Sequence, residues 1–217
     1  MIKNPLARVI FRTVYVVLGL IGALHSLGYF SRAFNTDFYV YYTTLSNLIC
    51  TGMMTVLLVL TIRDFHQPEP KSYAPCFKFM CVIMIMVTCL VYNFLLAGEH
   101  SAADYFLSIG NLLNHLILPI MFVVDWVLFY QHGQTRWYYP LMCLIMPLIY
   151  VVFIVIRGAI FAGKDMLLYP YFFLNLPKLG AGMFCVWVIA LVAIFVAIGY
   201  ALFGLDHLRK RRCVDNQ

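Results

Sequence analysis

Charge is scarce in this chain. Of its 217 residues only 9 are acidic and 15 are lysine or arginine, so 11% carry charge while 64% are hydrophobic. Ordinary soluble domains carry about 25% charged residues, and a chain this apolar has too little polar surface to wet an exterior, which excludes a soluble globular fold. Cysteine patterning is also missing. Cys50, Cys76, Cys81, Cys89, Cys143, Cys185 and Cys213 form no CxxC pair and fall in apolar runs, at their cytoplasmic ends or in the tail. Neither a disulfide framework nor a zinc or redox site is expected from them. No GxSxG elbow surrounds a serine, and no internal repeat relates the two halves. The first apolar run is too long for a signal-peptide core and lacks a cleavage site, so it is expected to be retained.

What the chain does have is six stretches long enough to cross a hydrocarbon core, which takes about 20 apolar residues each. They cover roughly 8–30, 38–62, 76–98, 107–130, 139–161 and 179–204. The expectation is an all-α polytopic membrane protein, a single six-helix transmembrane domain over residues 1–217. Eleven of the basic residues lie at the N-terminus (Lys3, Arg8, Arg12), in the second loop (Arg63, Lys71, Lys78), in the fourth (Arg136) and in the tail (Arg209, Lys210, Arg211, Arg212). The other loops hold Arg32, Arg157, Lys164 and Lys178. That asymmetry predicts both termini in the cytoplasm. The formal charge of +6 therefore reads as an orientation signal and as contact with anionic head groups, not as nucleic-acid binding.

Polar groups inside the apolar runs are costly in lipid and face a bundle interior or a wet cavity. The densest set is Asn111-Leu112-Leu113-Asn114-His115-Leu116-Ile117-Leu118-Pro119, in which Ser108, Asn111 and His115 share a helical face. Pro119 is expected to kink the helix beside the histidine. Span 2 opens with Tyr41-Tyr42-Thr43-Thr44-Leu45-Ser46-Asn47, where Thr43 and Asn47 share a face. With inward and outward spans alternating, His25, Thr43, Ser46, Asn47, Asn93, Asn111, Asn114, His115 and Arg157 come to the outer leaflet. The loop charges Glu99, His100 and Asp104 read as a solvated loop. The opposite half shows little comparable polarity: Asp125 beside Trp126 reads as an interfacial anchor and span 6 as a support helix. The apolar loop from Leu167 to Pro177, with Tyr169, Tyr171 and Asn175, reads as a cover over the outer mouth of the bundle.

One-sided polarity under an apolar cover points to a closed lipid site. Thr43 is the candidate nucleophile and His115 its base. Ser46, Asn47, Asn111 and Asn114 are candidates for orienting the imidazole or steadying an oxyanion. His25, Thr44, Asn93, Arg157, Tyr169, Tyr171 and Asn175 are candidate pocket residues. No metal and no cofactor is expected, although His25 and His115 on different helices keep a b-type haem open as an alternative.

The stretches Tyr42-Thr43-Thr44-Leu45-Ser46-Asn47, Asn111 to His115 with Pro119, Pro147 with Tyr150, Arg157-Gly158 and Tyr169-Pro170-Tyr171-Phe172 together resemble the androgen-induced gene (FAR-17a type) family, in its bacterial six-span (Pr-six-Pr) branch. Two positions depart from the mammalian pattern: Ser46 stands where that pattern has an acidic residue, and Leu112 where it has a second histidine. The resemblance implies an intramembrane ester hydrolase acting through threonine and histidine, with fatty acid esters of hydroxy fatty acids as the substrate class of the mammalian members. It also implies a place in a bacterial cytoplasmic membrane, with membrane lipid or a fatty acid ester as partner and Thr44 as the neighbour competing with Thr43. A lipid transacylase using the same site, and a non-enzymatic protein that binds or transports lipid or haem, are the alternatives.

Overall fold

The computed structural model describes residues 2–67, 71–96 and 106–215; Glu99, His100 and Asp104 lie outside them. Among the described residues there is no strand. Six helices are long and apolar enough to cross a membrane: α1 (Pro5–Ser26), α2 (Tyr42–Arg63), α3 (Pro75–Leu96), α4 (Ile109–Phe129), α5 (Tyr139–Ile160) and α6 (Leu176–Arg209). This is a multi-pass membrane architecture.

Local chemistry moves several helix ends away from where the apolar runs place them. α1 starts at Pro5 because Asn4 caps it, its side-chain oxygen accepting from the amides of Leu6 at 2.9 Å and Ala7 at 3.3 Å, with proline at the first helical position where no amide is missed. It stops at Ser26 because Gly28, at φ 78°, turns the chain. The last helical run continues to Asp215 and is broken near its start at Gly180 (φ 69°, ψ 162°).

α1 to α4 form a ring in which α1 packs on α2, α2 on α3, α3 on α4 and α4 back on α1. α5 and α6 pair with each other and lean on α3, and α6 leaves most of its surface facing outward. The chief core lies within the ring, around Tyr15, Met54, Phe79, Ile83, Leu118, Phe122 and Trp126. A second apolar cluster joins Val40, Tyr150 and Ile154 to Tyr171, Phe173 and Leu174 of the segment before α6, so that segment is packed down over one end of the bundle.

Close approach in the ring depends on Gly19. A Cβ there would overlap the Oγ1 of Thr51 and come within 2.8 Å of its Cγ2, the small-residue packing that lets helices associate in lipid. Gly19→Leu is therefore expected to destabilise the protein by about 1–3 kcal/mol through overpacking. Thermal unfolding in detergent measures this, and adding Thr51→Gly to Gly19→Ala should recover most of the smaller loss.

The end of the bundle that holds the chain termini carries polar structure that the apolar runs conceal. Asp125 is fully buried and takes the guanidinium of Arg12 at 2.8 and 3.3 Å as well as the ammonium of Lys78. Arg12 also donates to Thr61 Oγ1 at 2.6 Å and to the Leu57 carbonyl at 3.2 Å. The expectation of an interfacial anchor thus gives way to a salt-bridged junction of four helices. A lone carboxylate at that depth would be far costlier than one holding two cations. Asp206 of α6 is likewise buried and accepts from the Gly133 amide at 2.9 Å, the Thr135 amide at 3.2 Å and the Thr135 hydroxyl at 2.6 Å, while meeting His132 at 2.8 Å. α6 is a tether for the α4–α5 connection and not only a support.

Candidate functional site

At the opposite end, α4 departs from regular helix. Ile109–Leu112 is α-helical, Leu113–Ile117 makes a π turn, and Leu118–Phe129 resumes the α-helix with Pro119 in its first turn. The amide of Leu118 reaches back five residues to the Leu113 carbonyl, and Pro119 has no amide to offer. The carbonyls of Asn114 and His115 thereby lose their intrahelical donors. Both find replacements on neighbouring helices: Asn47 of α2 donates its Nδ2 to the Asn114 carbonyl at 3.0 Å, and Asn93 of α3 donates its Nδ2 to the His115 carbonyl at 3.2 Å. Polar groups freed inside a bundle are satisfied from adjacent helices, and π turns of this kind concentrate at functional sites.

The same turn ties α4 to α1. Asn114 donates through Nδ2 to the Gly22 carbonyl and to Ser26 Oγ, both at 3.2 Å. Gly22 has no room for a side chain, since a Cβ would stand 2.5 Å from Asn114 Oδ1. Asn47 has its second N–H on the Thr43 carbonyl at 2.9 Å, which also accepts from Ser46 Oγ at 2.9 Å. Ser46 meets Thr88 Oγ1 at 3.0 Å. Both N–H groups of Asn47 and of Asn114 are therefore committed, one of Asn47's to its own helix and the other three to neighbouring helices.

His115 is 9% exposed, and its ring lies flat against Tyr92, with centroids 3.3 Å apart and planes 9° from parallel. Tyr92 itself opens a π turn, Tyr92–Leu96, at the end of α3. His115 Nδ1 is buried without a hydrogen-bond partner among the described residues. A buried polar group is costly to leave unmet.

Two cavities meet at Thr43. The first, of about 240 Å³, is polar and is lined by His25, Ser26, Tyr41, Thr43, Thr44, Ser108, Gly110, Asn111, Asn114 and His115. The second is a narrow apolar cleft running past Tyr42, Thr88, Tyr92, Pro147 and Tyr150 to Tyr171, Leu191 and Phe195, and Thr43 lines it too. Thr43 and His115 thus share a cavity, with no direct hydrogen bond between their side chains. Thr43 Oγ1 lies 3.4 Å from the Tyr171 hydroxyl.

The other residues picked from the sequence are distributed around this centre. His25 and Thr44 line the polar cavity, Tyr171 lines the apolar one, and Asn93 stands behind His115. Arg157, Tyr169 and Asn175 border neither cavity; they fix the cover. Arg157 is buried, pairs with Asp37 at 2.9 Å, donates to the carbonyls of Leu167 and, at 3.4 Å, Leu168, and sits over the Tyr39 ring at 5.8 Å. The Tyr169 hydroxyl occupies the space left by the missing side chain of Gly158, and Asn175 Oδ1 accepts from the Lys178 amide at 3.2 Å at the start of α6.

The sequence carries no sign of the stacking of Tyr92 on His115, each of which lies in a π turn. No group of three or more histidine, cysteine, aspartate or glutamate side chains among the described residues has the arrangement to hold a metal ion. Compared with protein-family models, curated proteins and solved structures, the chain matches none of them.

Proposed function

We propose that the protein is an intramembrane lipid ester hydrolase in which Thr43 is the nucleophile and His115 the general base. The observation that carries this reading is the position of Thr43, a residue that lines both the apolar cleft and the polar cavity bordered by His115. An acyl chain has a place on the apolar side, and water and an imidazole have theirs on the polar side. The resemblance to the androgen-induced gene family supports the same assignment and points to fatty acid esters of hydroxy fatty acids as a substrate class.

In the first step the Thr43 hydroxyl oxygen bonds to the ester carbonyl carbon, its proton passes to His115, and the carbonyl π pair moves onto oxygen. Collapse expels the alcohol, which leaves with the proton from His115, and Thr43 keeps the acyl group as an ester. A water molecule from the polar cavity then attacks that ester as His115 takes its proton, and Thr43 departs as the free hydroxyl. The gap between Thr43 and His115 is in keeping with a substrate-free site, where catalytic hydrogen bonds are long.

The basic residues at both chain ends support termini in the cytoplasm and a site toward the outer leaflet. A polar cavity beside the acyl-bearing residue favours water over a lipid alcohol as acceptor. Purified protein in lipid nanodiscs, given a long-chain fatty acyl ester in water enriched in oxygen-18, tests the reading. One heavy oxygen is expected in each released acid. Acyl transfer to a lipid hydroxyl without heavy oxygen would make it a transacylase, and absence of turnover with a Soret band would favour the haem-binding alternative.

A further inference from the structure

The cover segment does more than close the cavity. Tyr171 is buried, stacked on Phe173 with centroids 5.2 Å apart and planes 3° from parallel, and wedged edge-on against Tyr150 at 6.4 Å. That packing aims its hydroxyl at one spot. It lies 3.4 Å from Thr43 Oγ1 and accepts from the Thr43 amide, also at 3.4 Å.

That amide belongs to the first turn of α2, where the backbone N–H groups have no partner within the helix. α2 is a 22-residue helix starting at Tyr42, so the amide sits at the positive end of its dipole. His115 lines the same polar cavity as Thr43, with its Nδ1 buried and without a hydrogen-bond partner among the described residues. Asn47 and Asn114, which could otherwise donate to a developing charge, have both N–H groups committed at 2.9–3.2 Å, whereas the Thr43 amide holds the longer 3.4 Å contact to the Tyr171 hydroxyl, which it gives up to reach the oxyanion.

Resting on the hydrolase reading, we propose that Tyr171 is a third catalytic residue, whose phenol O–H, together with the Thr43 backbone N–H, donates to the oxyanion formed when Thr43 attacks the ester. When the carbonyl carbon bonds to Oγ1, its oxygen gains the π pair within reach of both donors. The phenol keeps its proton throughout and only shares it. Burial holds the Tyr171 phenol above its ordinary pKa, which keeps the donor neutral at working pH. Because Tyr171 comes from the segment that Arg157 and Asp37 fasten, the oxyanion site exists only while the cover is seated.

Tyr171→Phe removes the hydroxyl and keeps the ring stack. Full-length protein in nanodiscs is compared with wild type on a long-chain ester, with a long-chain trifluoromethyl ketone as oxyanion-forming inhibitor and the matching ether lipid as ground-state ligand. The expected result is a fall of about 100-fold in kcat with KM within threefold of wild type. Affinity for the ketone should drop by a similar factor while affinity for the ether stays unchanged. A kcat within threefold of wild type, or equal losses for ketone and ether, overturns the proposal.

Thr43→Ala measured alongside separates the two levels. If it hydrolyses at the wild-type rate, the hydrolase site is wrong and the Tyr171 role falls with it. If it is inactive while Tyr171→Phe is fully active, the Tyr171 role alone falls. Should Tyr171→Phe not fold, 3-fluorotyrosine at position 171 replaces it. The more acidic phenol should move the alkaline limb of kcat to lower pH, because an ionised phenol cannot donate. Tyr41, Tyr42 and Tyr150 are the titratable groups that face Tyr171, and none is altered, so an unmoved limb overturns the proposal.

Discussion

Thr43→Ala is expected to lower long-chain ester hydrolysis by at least about 10³-fold, the scale seen when a nucleophile is removed from an acyl-transfer site. Thr44→Ala should stay within a few-fold of wild type. The two neighbours differ in what they border. Thr43 reaches both the apolar cleft and the polar cavity, whereas Thr44 is buried against the polar cavity alone. Of the two threonines, Thr43 is the one that borders both cavities, as the proposed acyl chain and water require. His115→Ala should match the loss of Thr43→Ala, and the double variant should be no worse than either single one, since a nucleophile and its base act as a unit. Initial rates on one ester at saturating substrate, with folding checked by size-exclusion profile, decide this. Multiplying losses would mean that the two residues work separately.

The second large effect concerns stability at the other end of the bundle. Asp125→Ala is expected to cost about 3–5 kcal/mol, because it leaves Arg12 and Lys78 buried without their counter-charge. Arg12 and Lys78 are 5% and 2% exposed, so neither is placed to recover hydration without parting α1 from α3. Replacing Arg12, Lys78 and Asp125 together by leucine should recover most of the loss, since an apolar junction of similar volume has no charge to satisfy. Thermal midpoints in detergent for the single and triple variants test the point. A single variant as stable as wild type would mean that water reaches the cluster.

Much of this architecture is legible in the sequence because lipid makes strict demands. Six runs of about 20 apolar residues can do little else than span, and alternation of direction brings Thr43 and His115 to the same end before any contact is known. The π turn is not legible. It shifts the helix register by one residue, and its only sequence mark is Pro119, which equally well predicts a plain kink. Without it the roles of Asn47 and Asn93 stay ambiguous. A free amide on a neighbouring helix reads as an oxyanion donor until the carbonyls of Asn114 and His115 are seen to lack helical partners.

The ion cluster hides for a different reason. Arg12 and Asp125 are 113 positions apart and Lys78 and Asp125 are 47 apart, and each taken singly looks like an interfacial residue. A signal existed: Arg12 and Asp125 each fall at least one turn inside their spans at the same end of the bundle, deeper than an anchor needs to be, although Lys78 stands at the very edge of its span. Asp206 was obscured by the basic tail that follows it. Arg157, Tyr169 and Asn175 read as pocket residues in the sequence but border neither cavity, since whether such side chains touch a pocket or fasten the segment depends on backbone carbonyls that the sequence does not display.

The central claim is that Thr43 carries the acyl group. Labelling the purified protein with a long-chain fluorophosphonate, followed by peptide mapping of the adduct by mass spectrometry, addresses it most directly. The account predicts a single adduct on Thr43, lost in Thr43→Ala and slowed in His115→Ala. An adduct on Thr44 or Ser46, or equal labelling of wild type and Thr43→Ala, would contradict it.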